Sequence, residues 1–343
     1  MFTTVGKEDR LMTLKEISEK TGFSITTISR VMNRTGYVNE ETYRKVMEVA
    51  EAGGYFQKKK SSALNNNIVG VIVPDLSNPF FADVIKGIRE VTETMHKEVI
   101  IMDTNEDFDA EKRALALMQS LKLCGLIITP LSDYGRGGDE IERTLTDLNV
   151  PVVLVDRDVK NSAFDGVFIN NTQGAFEITS YLIQKGYTRI AIISGPRYSK
   201  PGRERLKGYK NALEKYGIEP DESLFFEGDF SLESGYSLAE EILKLEELPQ
   251  AVFCCNNLMT MGCVKALATH KVKIGKDIQL AGFDKLELID QVLDLKIATV
   301  DRPTVEMGRA AAEILLQKPK LPESSVIRSG IRMDLMPKLN VYE

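Results

Sequence analysis

The sequence predicts an all-α head followed by an α/β body with parallel sheets, and three observations indicate this. Short segments with helical spacing of apolar residues fill residues 13–53, and from Ile68 onward apolar runs alternate with longer amphipathic segments. The first 60 residues carry eleven Lys and Arg against eight Asp and Glu, whereas the whole chain of 343 residues has a net charge of −6. A basic head on an acidic body is typical of a nucleic-acid-binding module joined to another domain.

Three short helices are predicted in the head. The apolar pairs at helical spacing are Leu14 with Ile17, Ile25 with Ile28, and Val46 with Val49. Ser24 and Asn39 are good N-cap residues, and Gly22 and Gly53 mark helix ends or turns. The basic stretch that follows, FQKKKSSALNNN, has no helical or strand period and is interpreted as a linker.

The second helix, in SITTISRVMN, has the composition of a DNA-reading helix. Its first residues, Ile25, Thr26 and Thr27, offer methyl and hydroxyl groups that can meet base edges in a major groove. Arg30 is long enough to reach a guanine or a phosphate, and Asn33 can meet the phosphate backbone. The alternative is a solvent-facing helix of a small bundle. Successive β-branched residues lower helix propensity, which argues against them as simple filler.

The body alternates buried-strand patterns with helical ones. The predicted strands are IVGVIVP, EVIIMDT, GLIITP, PVVLVDR, GVFIN, RIAIISG, AVFCC and IQLAGFD. Because Val and Ile occupy successive positions, we expect strands buried on both faces, hence parallel and covered by helices. Ligands of such sheets bind beyond the carboxyl ends of the strands, where acids, amides and arginines are concentrated here. The glycines around Gly135 do not form a phosphate-binding motif.

These strand-end residues suit a sugar. A pyranose has two apolar faces and a rim of hydroxyls, so its site needs aromatic plates and polar groups with charge-assisted hydrogen bonds. Simpler interpretations exist for each group. Phe80, Phe81 and Phe230 can be ordinary core residues. Asp156 with Arg157 can be an exposed ion pair, and Arg205 in RERLK can lie on a solvated helix face.

Two long motif series resemble a known family. TLKEISEKTGFSITTISRVMN and the ETYRKVMEVAEAGGY after it resemble the DNA-binding head of the lactose and galactose repressor (LacI/GalR) family, with Ser18 where alanine is usual. The resemblance continues through GVIVPDLSNPFF, VDRD, RERLKGY, GDFSLESGY, NNLMTMG and GFD. It implies a helix-turn-helix head joined to a periplasmic-binding-protein-like body of two doubly wound parallel-sheet subdomains.

In that family the residues matching Ile25 and Thr26 are the main base readers. The full set of DNA contacts predicted for this chain is Thr13, Ser24, Ile25, Thr26, Thr27, Ser29, Arg30, Asn33 and Leu64. Relatives have a hinge helix after the head, whose leucine wedges into the minor groove. Here only Tyr55 and Leu64 match the hinge pattern, so hinge folding and half-site spacing are left open.

The body resembles bacterial ribose-binding proteins as well. The residues matching their ribose contacts are Asn78, Phe80, Phe81, Asp156, Arg157, Arg205, Phe230, Asn256 and Asp284, and this is the predicted effector site. One position departs from that pattern. The hinge glutamine of those proteins falls at Asp301 or Arg302.

The resemblance also implies a domain plan. We expect a DNA-binding head at residues 12–56, a linker or hinge at 57–67 and an effector and dimerisation domain at 68–343. Within the last, residues 68–160 and 302–322 are expected to form the amino-terminal subdomain, and residues 161–301 and 323–343 the carboxyl-terminal one. The carboxyl terminus has no leucine heptads, so the tetramerising tail of some relatives is not expected.

Composition excludes several functions. No apolar run has the length of a membrane span and no signal-peptide pattern begins the chain, so we expect a cytoplasmic protein. Cys124, Cys254, Cys255 and Cys263 lack zinc-site spacing and are expected to be reduced and buried. With two histidines and no nucleophile beside an oriented base, we expect no catalytic residue, metal or cofactor.

The leading hypothesis is a transcriptional regulator, most simply a repressor. A homodimer would bind a pseudo-palindromic operator of double-stranded DNA, and a monosaccharide such as ribose or a similar aldopyranose would switch its affinity allosterically. Alternatives remain open: an effector that is a phosphorylated sugar or a nucleoside, a transport-associated sugar-binding protein without DNA function, and an α/β enzyme acting on sugars.

Overall fold

The computed structural model describes residues 12–33, 38–52, 67–131, 138–160, 162–286, 295, 297–317 and 330–341. The chain forms two compact units, Met1–Ile68 and Val69–Glu343. Leu64, Tyr55, Gly53 and the loop around Gly135 lie outside the described residues, as does the linker up to residue 66. Among the described residues, no helix combines the length and the apolar character needed to cross a lipid bilayer.

Three helices form the described part of the head: α1 (Leu14–Thr21), α2 (Ile25–Asn33) and α3 (Glu40–Ala52). Ser24 caps α2, since its hydroxyl accepts a hydrogen bond from the Thr27 amide at 3.2 Å. Asn39 caps α3 through the Thr42 amide at 2.8 Å. Gly22 ends α1 with a left-handed φ of 75°, which glycine adopts without a steric penalty. The predicted caps and helix end are therefore confirmed.

One side of each head helix is apolar, and these sides meet in a small core. The buried residues of this core are Met12, Ile17, Ile28, Val31, Val46 and Ala50. Ile28 and Val31 are three positions apart on α2, so this helix buries one narrow face. Its remaining faces are not part of the buried core.

The first sheet of the body has six strands in the order β11-β5-β4-β3-β1-β2. Their bounds are β1 (Ile68–Val73), β2 (Glu98–Asp103), β3 (Leu123–Ile128), β4 (Val152–Val155), β5 (Asp165–Ile169) and β11 (Arg332–Leu335). The associated helices are α4 (Pro79–Thr94), α5 (Phe108–Ser120), α6 (Gly138–Asp147) and α11 (Thr304–Gln317). Helices α4 and α11 cross closely at Gly87. A Cβ added to this glycine would lie 2.0 Å from the Val305 carbonyl oxygen.

The second sheet also has six strands, in the order β12-β10-β9-β8-β6-β7. They are β6 (Ile190–Ser194), β7 (Phe225–Glu227), β8 (Ala251–Cys254), β9 (Gln279–Phe283), β10 (Ala298–Asp301) and β12 (Lys338–Asn340). The helices around it are α7 (Asn171–Gln184), α8 (Lys200–Lys215), α9 (Leu232–Ile242) and α10 (Asn257–Thr269). Strand β12 pairs antiparallel with β10, and the other assigned pairings in this sheet are parallel. The predicted fold class is confirmed.

The chain passes between the two sheets at three places: near Asn170, near Arg302 and near Met336. The sheet pairings differ from the expected subdomain boundaries. Residues 165–169 form β5 beside β4, and residues 332–335 form β11 beside β5, so both belong to the first sheet. The carboxyl-terminal subdomain was expected to contain both segments. The partner of β11 lies about 165 residues earlier in the sequence, which no local pattern contains, whereas β5 lies only 12 residues after its partner β4 and the expected boundary was placed between them.

All eight predicted strands are present, but two features were wrong or missed. Strand β2 lies at a sheet edge and is largely solvent-accessible, so the expectation that it is buried on both faces is wrong. Strands β7, β10, β11 and β12 were not predicted, because each has only three or four residues and these include polar or charged ones, whereas the equally short β4 and β8 are entirely apolar. Of the four free cysteines, three are buried and Cys124 is half-buried.

Candidate functional site

Helix α2 presents an exposed face that contains three of the predicted DNA contacts. Ile25 is 50% exposed, an unusual position for a large apolar residue, and Thr26 and Arg30 are exposed as well. Thr26 and Arg30 are four positions apart, so their side chains share one face of the helix, and Ile25 lies beside Thr26 in the first turn. Ser29 is half-buried on α2, and the side chain of Asn33 lies outside the described part of the chain.

Three of the other predicted contacts make hydrogen bonds within the head. The Thr13 hydroxyl caps α1 in a capping box with Glu16, and the Ser24 hydroxyl lies 2.9 Å from that of Thr27. Ser18, where relatives usually have alanine, donates a hydrogen bond from its hydroxyl to the Phe23 carbonyl at 2.7 Å. That bond connects α1 to the turn before α2, so this departure from the family pattern has a structural reason.

A cavity of about 420 Å³ lies in the body at the carboxyl ends of the strands. All nine residues of the predicted effector site line it. Eight lining residues were not in the predicted set: Asp75, Asn105, Glu106, Tyr198, Pro201, Asp229, Ser231 and Arg302. Since its walls come from both sheets, the cavity is a cleft between the two subdomains, which we call the cleft.

The backbone is strained at the cleft. Five of its lining residues have left-handed φ angles although none is glycine: Asn105 (49°), Glu106 (54°), Asp156 (64°), Phe230 (74°) and Asp284 (75°). Asparagine and aspartate adopt this region more readily than other residues with a side chain, so the strain falls mainly on Glu106 and Phe230. Strain of this kind, about 1–3 kcal/mol for each residue, concentrates at functional sites where the surrounding structure enforces it.

The two predicted amides serve the backbone. The side-chain Oδ1 of Asn78 accepts hydrogen bonds from the Phe80 amide and from Asn257 Nδ2, each at 3.0 Å. Asn256 caps α10 through the Met259 amide and donates to the Phe230 carbonyl at 2.8 Å. These contacts fix both strand ends at the cleft. They leave Asn78 Nδ2 as an amide donor toward a ligand.

The aromatic residues combine packing with cleft lining. Phe80 and Phe81 belong to the core around the first sheet and make an edge-to-face pair with ring centroids 4.8 Å apart. Phe230 packs against the core of the second subdomain and lies under the Arg157 guanidinium, whose carbon is 5.5 Å from the ring centroid. Each of the three phenylalanine rings therefore packs on a hydrophobic core and also lines the cavity, so that the two roles considered for them do not exclude each other.

Arg205 is buried, with 2% of its surface exposed, so the solvated-face interpretation is wrong. Its Nε donates to Asn171 Oδ1 at 2.9 Å and its Nη1 to the Cys255 carbonyl at 2.5 Å, and its guanidinium stacks on Phe283 at 3.9 Å. Burial lowers its pKa to about 10, and the neighbouring Arg302 adds to that effect.

Arg157 and Asp156 are also buried, so the exposed ion pair is wrong. Arg157 binds Glu106 with both nitrogens of its fork, at 2.5 and 2.9 Å. Burial is the largest single effect and lowers the pKa of Arg157, but the charge and hydrogen bond of Glu106 together with the charges of Asp156 and Tyr198 outweigh it, so that the pKa is raised. Glu106 follows β2 and was not predicted, since nothing local in the sequence indicates which arginine it meets.

Arg302 is the main addition to the site. It is 7% exposed and follows β10, where the chain passes from the second sheet to the first. Its Nη1 lies 2.5 Å from Asp156 Oδ1, its Nη2 lies 2.7 Å from Asp284 Oδ2, and its Nε donates to Asp284 Oδ1. The sequence indicated this position only as the site of a missing hinge glutamine.

A buried acid lies next to the cleft. Glu111 on α5 accepts a hydrogen bond from the Leu131 amide at 2.8 Å. Burial raises its pKa to about 7, although that hydrogen bond and Arg157 act in the opposite direction.

A second acid, Asp229, lies at the mouth of the cleft. Burial would raise the pKa of Asp229, but hydrogen bonds from Ser231 and Ser234 lower it below its ordinary value. Asp229 is therefore a carboxylate at neutral pH.

A three-helix head of this type and a two-sheet body with a polar, aromatic-lined cleft define a ligand-binding protein with a DNA-binding module. The sequence profile described as "Periplasmic binding proteins and sugar binding domain of LacI family" matches residues 66–335. The profile described as "Bacterial regulatory proteins, lacI family" matches residues 13–57. The chain therefore belongs to the LacI family of bacterial transcriptional regulators, with a helix-turn-helix DNA-binding region and a sugar-binding domain.

Characterised relatives cover nearly the whole chain. The HTH-type transcriptional repressor PurR of Vibrio atlanticus is 29% identical over 314 residues, which are 90% of this chain and 92% of the relative. The HTH-type transcriptional regulator DegA of Bacillus subtilis is 29% identical over 299 residues, which are 86% of this chain and 88% of the relative. Both names describe regulators of transcription, not enzymes.

Solved structures agree with the fold. The transcriptional regulator CelR in complex with cellobiose has a TM-score of 0.71 at 25% identity, covering 96% of this chain and 98% of that one. A candidate ribose operon repressor from Burkholderia thailandensis has a TM-score of 0.70 at 26% identity, covering 81% of this chain and all of that one.

Proposed function

We propose that this protein is a repressor whose affinity for its operator is switched by a neutral monosaccharide, ribose or a similar aldopyranose, bound in the cleft. The observation that carries the proposal is the common placement of nine predicted residues around one cavity of about 420 Å³. This volume lies within the range of small-ligand sites, roughly 300–1,000 Å³. The similar chains described as a ribose operon repressor and a cellobiose complex agree with a carbohydrate ligand.

The charges of the cleft favour a neutral sugar over a phosphorylated one. Arg157 pairs with Glu106, and Arg302 pairs with both Asp156 and Asp284. With Arg205 included, three arginines balance three carboxylates at the inner end of the cleft. Further out, Asp75 and Asp229 line the mouth. A phosphate dianion entering here would meet uncompensated negative charge, whereas hydroxyls would meet both donors and acceptors.

The exposed face of α2 is proposed to read the operator. Ile25, Thr26 and Thr27 would contact base edges in the major groove, and Arg30 would reach a guanine or a phosphate. Further contacts to the phosphate backbone would come from Thr13, Ser24, Ser29 and Asn33, and Leu64 would wedge into the minor groove. A homodimer would place two heads on the two halves of a pseudo-palindromic operator.

The switch is proposed to use the two subdomains. A sugar that contacts side chains from both sheets binds more tightly when the cleft is closed, and it shifts the equilibrium by that difference in affinity. In a dimer such a shift changes how the two heads are presented to the operator. The expected sign is release of DNA when the sugar binds.

A thermal-shift screen tests the effector. The purified full-length protein is heated with ribose, other pentoses, hexoses, their phosphates and nucleosides. A ligand at about a hundred times its dissociation constant adds roughly 2.7 kcal/mol to stability, a measurable shift. The expected result is stabilisation by a neutral pentose or hexose. Stabilisation by phosphorylated sugars or nucleosides alone would overturn the neutral-sugar proposal.

The DNA half needs a separate measurement. A duplex selected from a random library by the protein is bound at fixed salt, with and without the stabilising sugar. We expect sequence-specific binding that the sugar weakens. Binding that is equal on selected and random duplexes would favour a sugar-binding protein without operator function.

A further inference from the structure

Arg302 joins two carboxylates that come from different sheets. Asp156 follows β4 in the first sheet and Asp284 follows β9 in the second, and both end on the same guanidinium. Their side chains are at most 7% exposed, as is that of Arg302, so water does not screen these pairs appreciably. Both aspartates have left-handed φ angles, and the guanidinium helps to hold them in that conformation.

Two of the five N–H groups of Arg302 have no partner among the described residues. One N–H of Nη1 binds Asp156, while Nε and one N–H of Nη2 bind Asp284. The remaining hydrogens of Nη1 and Nη2 are donors. The guanidinium carbon also lies 3.5 Å from the centroid of Phe80, so that one face of this ring is covered.

This arrangement changes what the inner end of the cleft offers to a sugar. A carboxylate that already receives charge-assisted hydrogen bonds is a weaker acceptor for a hydroxyl than one without them. Both oxygens of Asp284 and one oxygen of Asp156 bind Arg302. A hydroxyl that approaches them must compete with a guanidinium of the same chain.

We propose that Arg302 is a specificity-determining residue of the cleft, acting as an internal competitor for Asp156 and Asp284. It lowers the affinity for sugars whose hydroxyls donate to these carboxylates. It favours sugars that turn acceptor oxygens toward its two remaining N–H groups. This inference rests on the proposed function, because it assumes that the effector is a sugar. It adds that Arg302 limits the affinity of the cleft for that sugar.

The test is titration calorimetry of ribose against the full-length wild-type protein and Arg302→Gln. Glutamine keeps a planar polar group but removes the charge and the fork, so both aspartates become free acceptors. Since hydrogen bonds to charged groups are strong, the expected gain in ribose affinity is roughly tenfold or more. Arg309→Gln is the matched control, because Arg309 on α11 pairs with Glu90 and Glu306 at the surface, away from the cleft.

Arg302→Lys covers the case in which Arg302→Gln does not fold. A lysine keeps the positive charge but cannot span both aspartates in a fork, so we expect an intermediate gain. Ribose affinity that is unchanged or lower in the folded variants would overturn the proposal.

The outcomes for the two proposals are separate. A wild-type protein that binds some neutral sugar, with no gain in the variants, would retain the proposed function and overturn the role of Arg302. A gain for ribose in the variants, with no sugar bound by the wild type, would support the competitor and overturn the proposed effector. If neither protein binds a sugar, both proposals fail.

Discussion

The recognition helix and the cleft use side chains in opposite ways. On α2, Ile25 and Arg30 lie exposed to solvent within six residues of sequence. In the cleft, Asp156, Asp284 and Arg302 are buried, strained or paired, and they come from segments up to 146 residues apart. An exposed face can therefore be changed without affecting the fold, whereas a change in the cleft alters neighbours on both sheets.

The largest expected effect tests whether the exposed face of α2 can be changed without altering sugar binding in the cleft. Thr26→Ala combined with Arg30→Ala removes two groups that would contact the operator, at about 1–3 kcal/mol each. We expect affinity for a selected operator to fall roughly 100-fold or more, with sugar affinity unchanged, as measured by fluorescence anisotropy and calorimetry.

Arg44→Ala is the control, because Arg44 is an exposed arginine of α3 outside the proposed reading face. It should affect selected and random duplexes alike. A loss of sugar affinity equal to the loss of operator affinity would contradict the separation of the two regions.

The next effect concerns the cleft. Arg205→Ala removes a buried cation that Asn171 and the Cys255 carbonyl hold in place. Ribose affinity should fall about 100-fold, because charged hydrogen bonds contribute roughly 1.5–3 kcal/mol each, and operator binding should become insensitive to the sugar. Arg203→Ala, on the same helix but outside the cavity lining, is the comparison. An unchanged sugar response would remove Arg205 from the site.

A smaller effect depends on pH and belongs to the body alone. The pKa of Glu111 is raised from 4.5 to about 7, so between these values the folded chain keeps a proton that the unfolded chain has lost. Stability from this group is full below about pH 4.5, falls as the pH rises toward 7 and is constant above it. The loss is at most about 3 kcal/mol.

Glu111→Gln keeps an acceptor for the Leu131 amide and should remove that decline. Urea unfolding of the body across this pH range measures it. A decline of the same size in the variant would assign it to another group.

The smallest effect is local to the head. Thr13→Ala removes the capping box of α1 and should lower head stability by about 1 kcal/mol while the body is unaffected. Lys15→Ala, an exposed change on the same helix, is the comparison. An operator affinity that falls by more than the stability loss explains would support a direct contact of Thr13 with DNA. A shift of the body's unfolding transition would contradict the local effect.

Much of the fold was predictable because the informative patterns are local. Ser24, Asn39 and Gly22 cap or end their helices as predicted, and eight strands were recognisable from their apolar runs. Strands β7, β10, β11 and β12 were not, since three or four residues that include polar or charged ones carry too little pattern to be distinguished from loops.

The sequence allowed residues that line the cavity to be predicted, but not the hydrogen-bond partners of these residues. Asn78, Arg205 and the other seven residues stand at strand ends or in recognisable motifs, and the structure gathers all nine around one cavity. Their partners were unpredictable. Glu106 meets Arg157 across 51 residues, and Asn257 meets Asn78 across 179.

The helical head, the alternating strands and helices of the body and the chemical types of the residues in the cleft all follow from the order of amino acids alone. Local propensity and burial produce each of these within a few turns or strands. In contrast, the membership of β5 and β11 in the first sheet and the pairing of Arg302 with both aspartates became apparent only in the folded chain. Strand order and buried ion pairs depend on distances between remote segments, and these exist only after the chain has folded.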